Sequence, residues 1–128
     1  MHVYISSDET AIEGSIPEMR NISEYIKRAR VGSIKTYELS QLATAEPYDN
    51  LLEELTLDCN GSKIKGSLEG KSLKIEFSEE TAEAMASYFE FEEGFVPGYH
   101  HHFDQFGNED YFEADSIDMV VQVAHDNT

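Results

Sequence analysis

The chain has 128 residues, 40% of them hydrophobic, and a formal net charge of −17. Length and composition make one ordinary domain with a real core, and exclude a disordered or membrane-embedded chain. The charge excludes most functions that hold phosphate, because a field of that sign repels nucleic acid and anionic membranes and attracts a basic protein.

The acidity is unevenly spread. Residues 1 to 74 hold 12 acids against 9 bases, whereas residues 75 to 128 hold 14 acids and no base. Solubility alone does not require that confinement. The first residues, Met-His-Val-Tyr-Ile-Ser-Ser, lack a basic segment followed by an apolar run, and no later window approaches a membrane span, so a cytoplasmic protein is expected. The single cysteine, Cys59, leaves no internal disulfide and reads as a small buried apolar residue at the end of a strand.

In chain order, His2 to Ile5 reads as a short strand and Ser6 to Gly14 as a polar run. Ser15-Ile-Pro-Glu18 is a capping box, in which the serine oxygen bonds the amide three residues on and the glutamate reaches back. Ile16, Met19, Ile22, Ile26 and Ala29 follow at spacings of three and four, which predicts a helix over Ile16 to Arg30. Lys27, Arg28 and Arg30 complement the negative end of its dipole, and Gly32 can close it. Ser33 to Leu39 reads as a strand and Ser40 to Asn50 as a loop.

From Leu51 the period changes to two. Leu55, Leu57 and Cys59 alternate, Asn60-Gly61 is hairpin chemistry, and Ile64, Gly66 and Leu68 alternate after it. Glu69-Gly70 makes a second tight turn before Leu73, Ile75 and Phe77. The expectation is a three-stranded antiparallel meander with one apolar face. Ser78 caps a second helix, over Glu79 to Glu92, whose buried stripe is Ala82, Met85, Ala86 and Phe89. Glu79, Glu83 and Glu90 flank that stripe and predict an acidic edge facing solvent. The helix is expected to cover the sheet, giving a single α+β domain with a mainly antiparallel sheet and two helices.

Tyr99 to Phe106 reads as a strand that places His100, His102 and Asp104 on one face and His101 on the other. Gly107-Asn108 is a turn, and Ile117, Met119, Val121 and Val123 then form a core-facing strand. Two imidazoles and a carboxylate are a ligand set used by zinc, iron and manganese. A metal site normally draws a further ligand from another element, and the sequence shows no second His or Cys cluster. No tightly bound metal or cofactor is therefore expected, and the histidine strand reads as a polar face, solvated or covered by a partner.

From about Lys71 to Ala124, the strand Leu73 to Phe77, the Ser78-led helix with Ala82 to Phe89, the His100/His102 pair, and Ser116 with Met119 to Val123 resemble a family of small bacterial immunity proteins. That family accompanies polymorphic or contact-dependent toxins. The resemblance implies a cytoplasmic inhibitor that binds a toxin domain and carries no catalytic residues. Charge points the same way, since a basic toxin gains on-rate from an acidic partner. Glu79, Glu83, Glu90, His100, His102, Asp104, Glu109, Asp110 and Glu113 are the expected contacts. The competing reading is an enzyme using His100, His102 and Asp104 as metal ligands or as an acid-base pair. Against it, no glycine-rich phosphate loop, nucleophile elbow or zincin helix occurs in the sequence.

Overall fold

The computed structural model describes residues 1–6, 9–39, 50–90, 100–103, 112–113 and 116–123. Among these residues, two helices and two mostly antiparallel sheets make an α+β fold, as composition and periodicity predict. The first sheet has the order β4-β1-β2-β9-β8, with β1 His2–Ser6, β2 Glu9–Gly14, β4 Asn50–Leu51, β8 His100–Phe103 and β9 Met119–Val123. The second has the order β3-β5-β7-β6, with β3 Ile34–Glu38, β5 Glu54–Asp58, β6 Lys65–Glu69 and β7 Ser72–Glu76. The helices are α1 (Ile16–Arg28) and α2 (Ala82–Ser87). Buried side chains from both sheets and both helices form one core cluster.

The capping box closes as the sequence predicts. The Glu18 amide donates to Ser15 Oγ at 3.2 Å, and the Ser15 amide donates to Glu18 Oε1 at 2.9 Å. Met19, Ile22 and Ile26 are buried along one face of α1. The helix ends two residues earlier than expected, at Arg28, and the Arg30 guanidinium folds back to donate to the carbonyls of Arg28 and Ala29. Gly32 takes its positive φ of 95° in the turn beyond, not at the helix cap.

Three expectations are corrected. The polar run after β1 contains β2, which pairs antiparallel with β1 and parallel with β9. Only Ile12 in it is strongly apolar, but Thr10 and Ala11 are also buried, because a central strand is covered on both faces. The meander does not form. Strand β7 lies between β5 and β6, parallel to β5 and antiparallel to β6. Side-chain volume explains the swap: Leu73 and Ile75 pair in register with Leu55 and Leu57, all four fully buried, whereas β6 offers only Gly66 and a 40% exposed Leu68. Burying a large aliphatic side chain contributes about 1.5–3 kcal/mol, so the more apolar strand takes the middle position.

Asn60-Gly61 is consequently no hairpin turn. Asn60 Nδ2 donates to Asp58 Oδ1 at 2.6 Å, and the Gly61 amide donates to the Phe77 carbonyl at 2.9 Å. The glycine is needed there for close approach: a Cβ would stand 3.1 Å from Glu76 Cβ and 3.2 Å from the Phe77 nitrogen. Glu69-Gly70 is the hairpin turn expected, with Gly70 at φ 59°.

The third correction concerns α2, which runs only from Ala82 to Ser87 instead of from Glu79 to Glu92. Ser78 and Thr81 exchange hydrogen bonds, each amide donating to the other's hydroxyl oxygen, and form the turn that delivers the chain into the helix. The stripe Ala82, Met85, Ala86 and Phe89 is buried as predicted. Residues 91 and 92 lie outside the described residues, as do the Gly107-Asn108 turn and most of the loop over 40–50.

The C-terminal chain joins the two sheets. Phe112 bridges to Ile64 in parallel sense, and the Ile117 amide donates to the Gly66 carbonyl at 3.1 Å. The Gly66 amide in turn donates to Ser116 Oγ at 2.9 Å. The chain then crosses to the first sheet, where the Thr10 amide donates to the Asp118 carbonyl at 3.2 Å and β9 begins. Gly66 marks the crossing, since a Cβ there would meet Met119 Cε at 2.6 Å.

Candidate partner-binding surface

The acidic flank of α2 lies beside the end of α1. The Val31 amide, in the turn after α1, donates to Glu79 Oε2 at 3.0 Å. Glu90 forms an ion pair with Lys27 and accepts from Ser23 Oγ at 3.4 Å. Hydrogen bonding to Glu90, then its charge, and more weakly the charges of Glu83 and Glu24, push the Lys27 ammonium above its ordinary pKa. The expected solvent-facing edge is therefore shared. Glu79 and Glu90 remain exposed but are tied to α1, whereas Glu80 and Glu83 are exposed and, among the described residues, make no ion pair.

Glu113 lies elsewhere, against the edge of the second sheet. Its amide donates to the Ile64 carbonyl at 2.9 Å and its carboxylate accepts from Ser62 Oγ at 2.9 Å. With Asn60, Lys63, Lys65 and Glu76 it lines an open cleft of about 480 Å³. The cleft mixes two ammonium groups with two carboxylates, so it suits a polar segment carrying both signs of charge better than a simple cation.

Among the described residues, the histidine strand is one of the two edge strands of the first sheet. Its backbone pairs with β9, His100 opposite Gln122 and His102 opposite Val120. Asp104, Glu109 and Asp110 lie outside the described residues. On the neighbouring strands stands a hydrogen-bonded group that sequence reading missed: Gln122 Nε2 donates to Tyr4 Oη at 2.8 Å and to Glu13 Oε2 at 2.6 Å. One signal pointed to it, the lone polar residue in Met-Val-Val-Gln-Val. Without β2 recognised as a strand, Glu13 had no place beside it.

Cys59 is fully buried, and burial, with the nearby charges of Glu79 and Asp58 adding to it, pushes its thiol above the ordinary value. That is the state of a packing residue and not of a nucleophile. Among the residues whose side chains are described, no three of His, Cys, Asp or Glu stand together as metal ligands. Among the described residues, no helix is long and apolar enough to cross a membrane. No family model matches the chain, and neither a curated protein nor a solved structure matches it.

Proposed function

We propose that this chain is an acidic binding protein that neutralises a basic toxin domain in the cytoplasm by direct protein–protein contact, in the manner of the immunity proteins it resembles. The observation that carries the reading is the segregation of charge, with 14 acids and no base from residue 75 onward. Glu80 and Glu83 support it by leaving exposed carboxylates on α2. Glu79 and Glu90, held by α1, fix the flank from which those carboxylates act. Charges of this kind steer encounter with a basic surface and set its salt dependence more than they hold the complex together.

The test is co-expression with the product of the adjacent gene, followed by association kinetics of the purified pair across a salt series. Steering by the acidic surface is expected to make the on-rate fall steeply with salt. Changing Glu80, Glu83 and Glu113 together to Lys should lower the low-salt on-rate by about tenfold or more. A pair that does not co-purify, or an on-rate indifferent to both salt and charge reversal, would remove the basis of the reading.

A further inference from the structure

The second sheet is closed along one edge and, among the described residues, open along the other. At β6 the C-terminal chain bonds the free edge, at Ile64 and Gly66. At β3 the residues Ile34, Lys35, Thr36 and Glu38 are exposed, and among the described residues no backbone pairs with the outer side. Two bonds to β5 fix which groups face outward. The Cys59 amide donates to the Ser33 carbonyl at 2.9 Å and the Leu39 amide to the Glu53 carbonyl at 2.9 Å, each between residues directly opposite in the register. Bonded and non-bonded pairs alternate along an antiparallel ladder, so Lys35 and Tyr37 also bond β5, and the amides and carbonyls of Ile34, Thr36 and Glu38 point away from it. Sheet edges are commonly closed by a bulge, a proline, a cover or a lysine. The register of β3 is unbroken, it holds no proline, and its one lysine, Lys35, lies over the Tyr37 ring at 5.5 Å from the centroid. Val31 and Ile34, 73% and 61% exposed, stand at its start and are the most exposed large apolar side chains among the described residues.

We propose that β3 pairs antiparallel with β3 of a second copy of this chain, about a two-fold axis at Thr36, so that the two four-stranded sheets become one continuous sheet. In that register Thr36 faces its own counterpart, Ile34 faces Glu38 of the second copy, and Lys35 faces Tyr37 of the second copy. Residues opposite one another in a ladder share a face, so a two-fold axis through the sheet joins odd positions with odd and even with even, as this register does. The outward groups of Ile34, Thr36 and Glu38 from both copies then satisfy one another in the bonded pairs.

Two features select a second copy over an unrelated strand. The first is the pairing of Lys35 with Tyr37, which falls in a non-bonded pair with Cα atoms about 4.5 Å apart, so that the ammonium of one copy reaches the ring of the other. Beside that ring opens a cleft of about 360 Å³ lined also by Glu18 and Glu38. Glu38 is exposed and, among the described residues, makes no ion pair, so the incoming ammonium meets both an aromatic face and a free carboxylate. The second feature is charge along the strand. Arg30 and Lys35 stand at its basic start, where Asp58, opposite Ile34, is already held by Asn60 and Lys74. At its end Glu38 stands opposite Glu54, a like-charged pair that is unfavourable without a cation nearby. Antiparallel pairing of two copies sets each basic start against an acidic end. The net charge of −17 on each copy opposes association, but physiological salt screens it beyond about 8 Å. An interface of this size is small, so the dimer is weak, with a dissociation constant on the order of 10 μM. None of the expected toxin contacts lies on β3, and the pairing is independent of the toxin-binding reading.

The experiment is sedimentation velocity of the full chain alone, without a tag, at physiological salt and from about 1 to 300 μM, a range that brackets the expected dissociation constant. The wild type should pass from monomer toward dimer across that range. Thr36→Pro removes an amide that faces the axis and leaves the bonds of β3 to β5 in place, and it should weaken association by about tenfold or more. Lys35→Glu sets a carboxylate against Tyr37 and Glu38 of the second copy and should weaken it by a similar factor. Lys63→Glu, the same charge change at the far side of the sheet, should leave it unchanged. Thermal melts of each variant report whether the fold is kept, and Lys35→Glu carries the test if Thr36→Pro does not fold. A chain that stays monomeric throughout overturns the proposal, as it would if β3 were reserved for a strand of another protein. Association that Lys35→Glu leaves untouched overturns it as well, because the two copies would then meet through another surface or register.

Discussion

The two sheets are assembled from different kinds of sequence. The strands of the second all come from the stretch Ile34 to Glu76, within which β4 alone among the described strands goes to the first sheet, and its central pairs join strands close along the chain. The first combines β1, β2 and β4 with β8 and β9 from the far end, so its central pair, β2 with β9, closes over more than a hundred residues. Nearby pairing costs less loop entropy and forms sooner, which makes the second sheet the natural platform and the first sheet dependent on delivery of the C-terminal strand. The segment from Phe112 to Asp118 makes that delivery, bonded first to Ile64 and Gly66 and then to Thr10.

The sharpest way to break this asymmetry is Val121→Asp, which places an unpaired charge in a fully buried position of β9. A buried charge without a partner costs several kcal/mol, about 4 or more at such a site. Hydrogen exchange should then show the amides of β1, β2 and β9 unprotected while those of β7 keep partial protection. Equal loss in both sheets would mean that they are one cooperative unit. Leu73→Ala in the platform should cost about 2–5 kcal/mol and weaken both sheets together, read as a fall in denaturation midpoint.

A smaller effect is expected where the sheets touch. Gly66→Val forces a side chain into Met119 and should cost about 1–3 kcal/mol, with part recovered in the double variant that also carries Met119→Ala. Strict additivity in that cycle would refute contact between the two positions. Removing the α1 cap by Ser15→Ala should cost about 1 kcal/mol in chemical denaturation without affecting the relative protection of the two sheets.

Glu18 sharpens the same helix end by pH. Its partial burial raises the carboxyl pKa, but the Ser15 backbone amide and further favourable contacts outweigh that and hold it below the ordinary 4.5. A lowered folded value means stabilisation present above about pH 4.5 and lost as pH falls through the folded pKa. Thermal melts of wild type and Glu18→Gln should therefore differ at neutral pH and converge in acid. The exposed Lys27–Glu90 pair gives the smallest effect: Lys27→Gln should barely move the denaturation midpoint, and less still at high salt, because solvent and ions screen the pair.

Elements announced by strong local chemistry were legible in the sequence. The Ser15 box, the Ile16-Met19-Ile22-Ile26 stripe, the Glu69-Gly70 turn and the Ala82-Met85-Phe89 face all stand where pattern places them. What could not be read was pairing. Asn60-Gly61 looks like a hairpin because its two residues suit a tight turn, yet the larger side chains of β7 outcompete β6 for the place beside β5. Strand β2 was hidden because Thr10 and Glu13 are polar, although its backbone is central in the sheet. The polar row that pairing makes of His2, Glu13, Gln122 and His100 was invisible for the same reason, since its members come from four strands whose order only long-range register reveals.

That row also determines how the molecule yields to force. His2 and Gln122 stand in one row, two strand widths or about 10 Å apart, and β1 begins at the end of the sheet where β9 finishes. A pull applied between the start of β1 and the end of β9 draws both strands away from β2 at the same end, perpendicular to their length. Their hydrogen bonds then open one after another like a zipper, and do not shear together. In single-molecule stretching the first sheet should come apart at low force from this pair of handles. Handles that load β2 and β9 lengthwise against each other should require a much larger one.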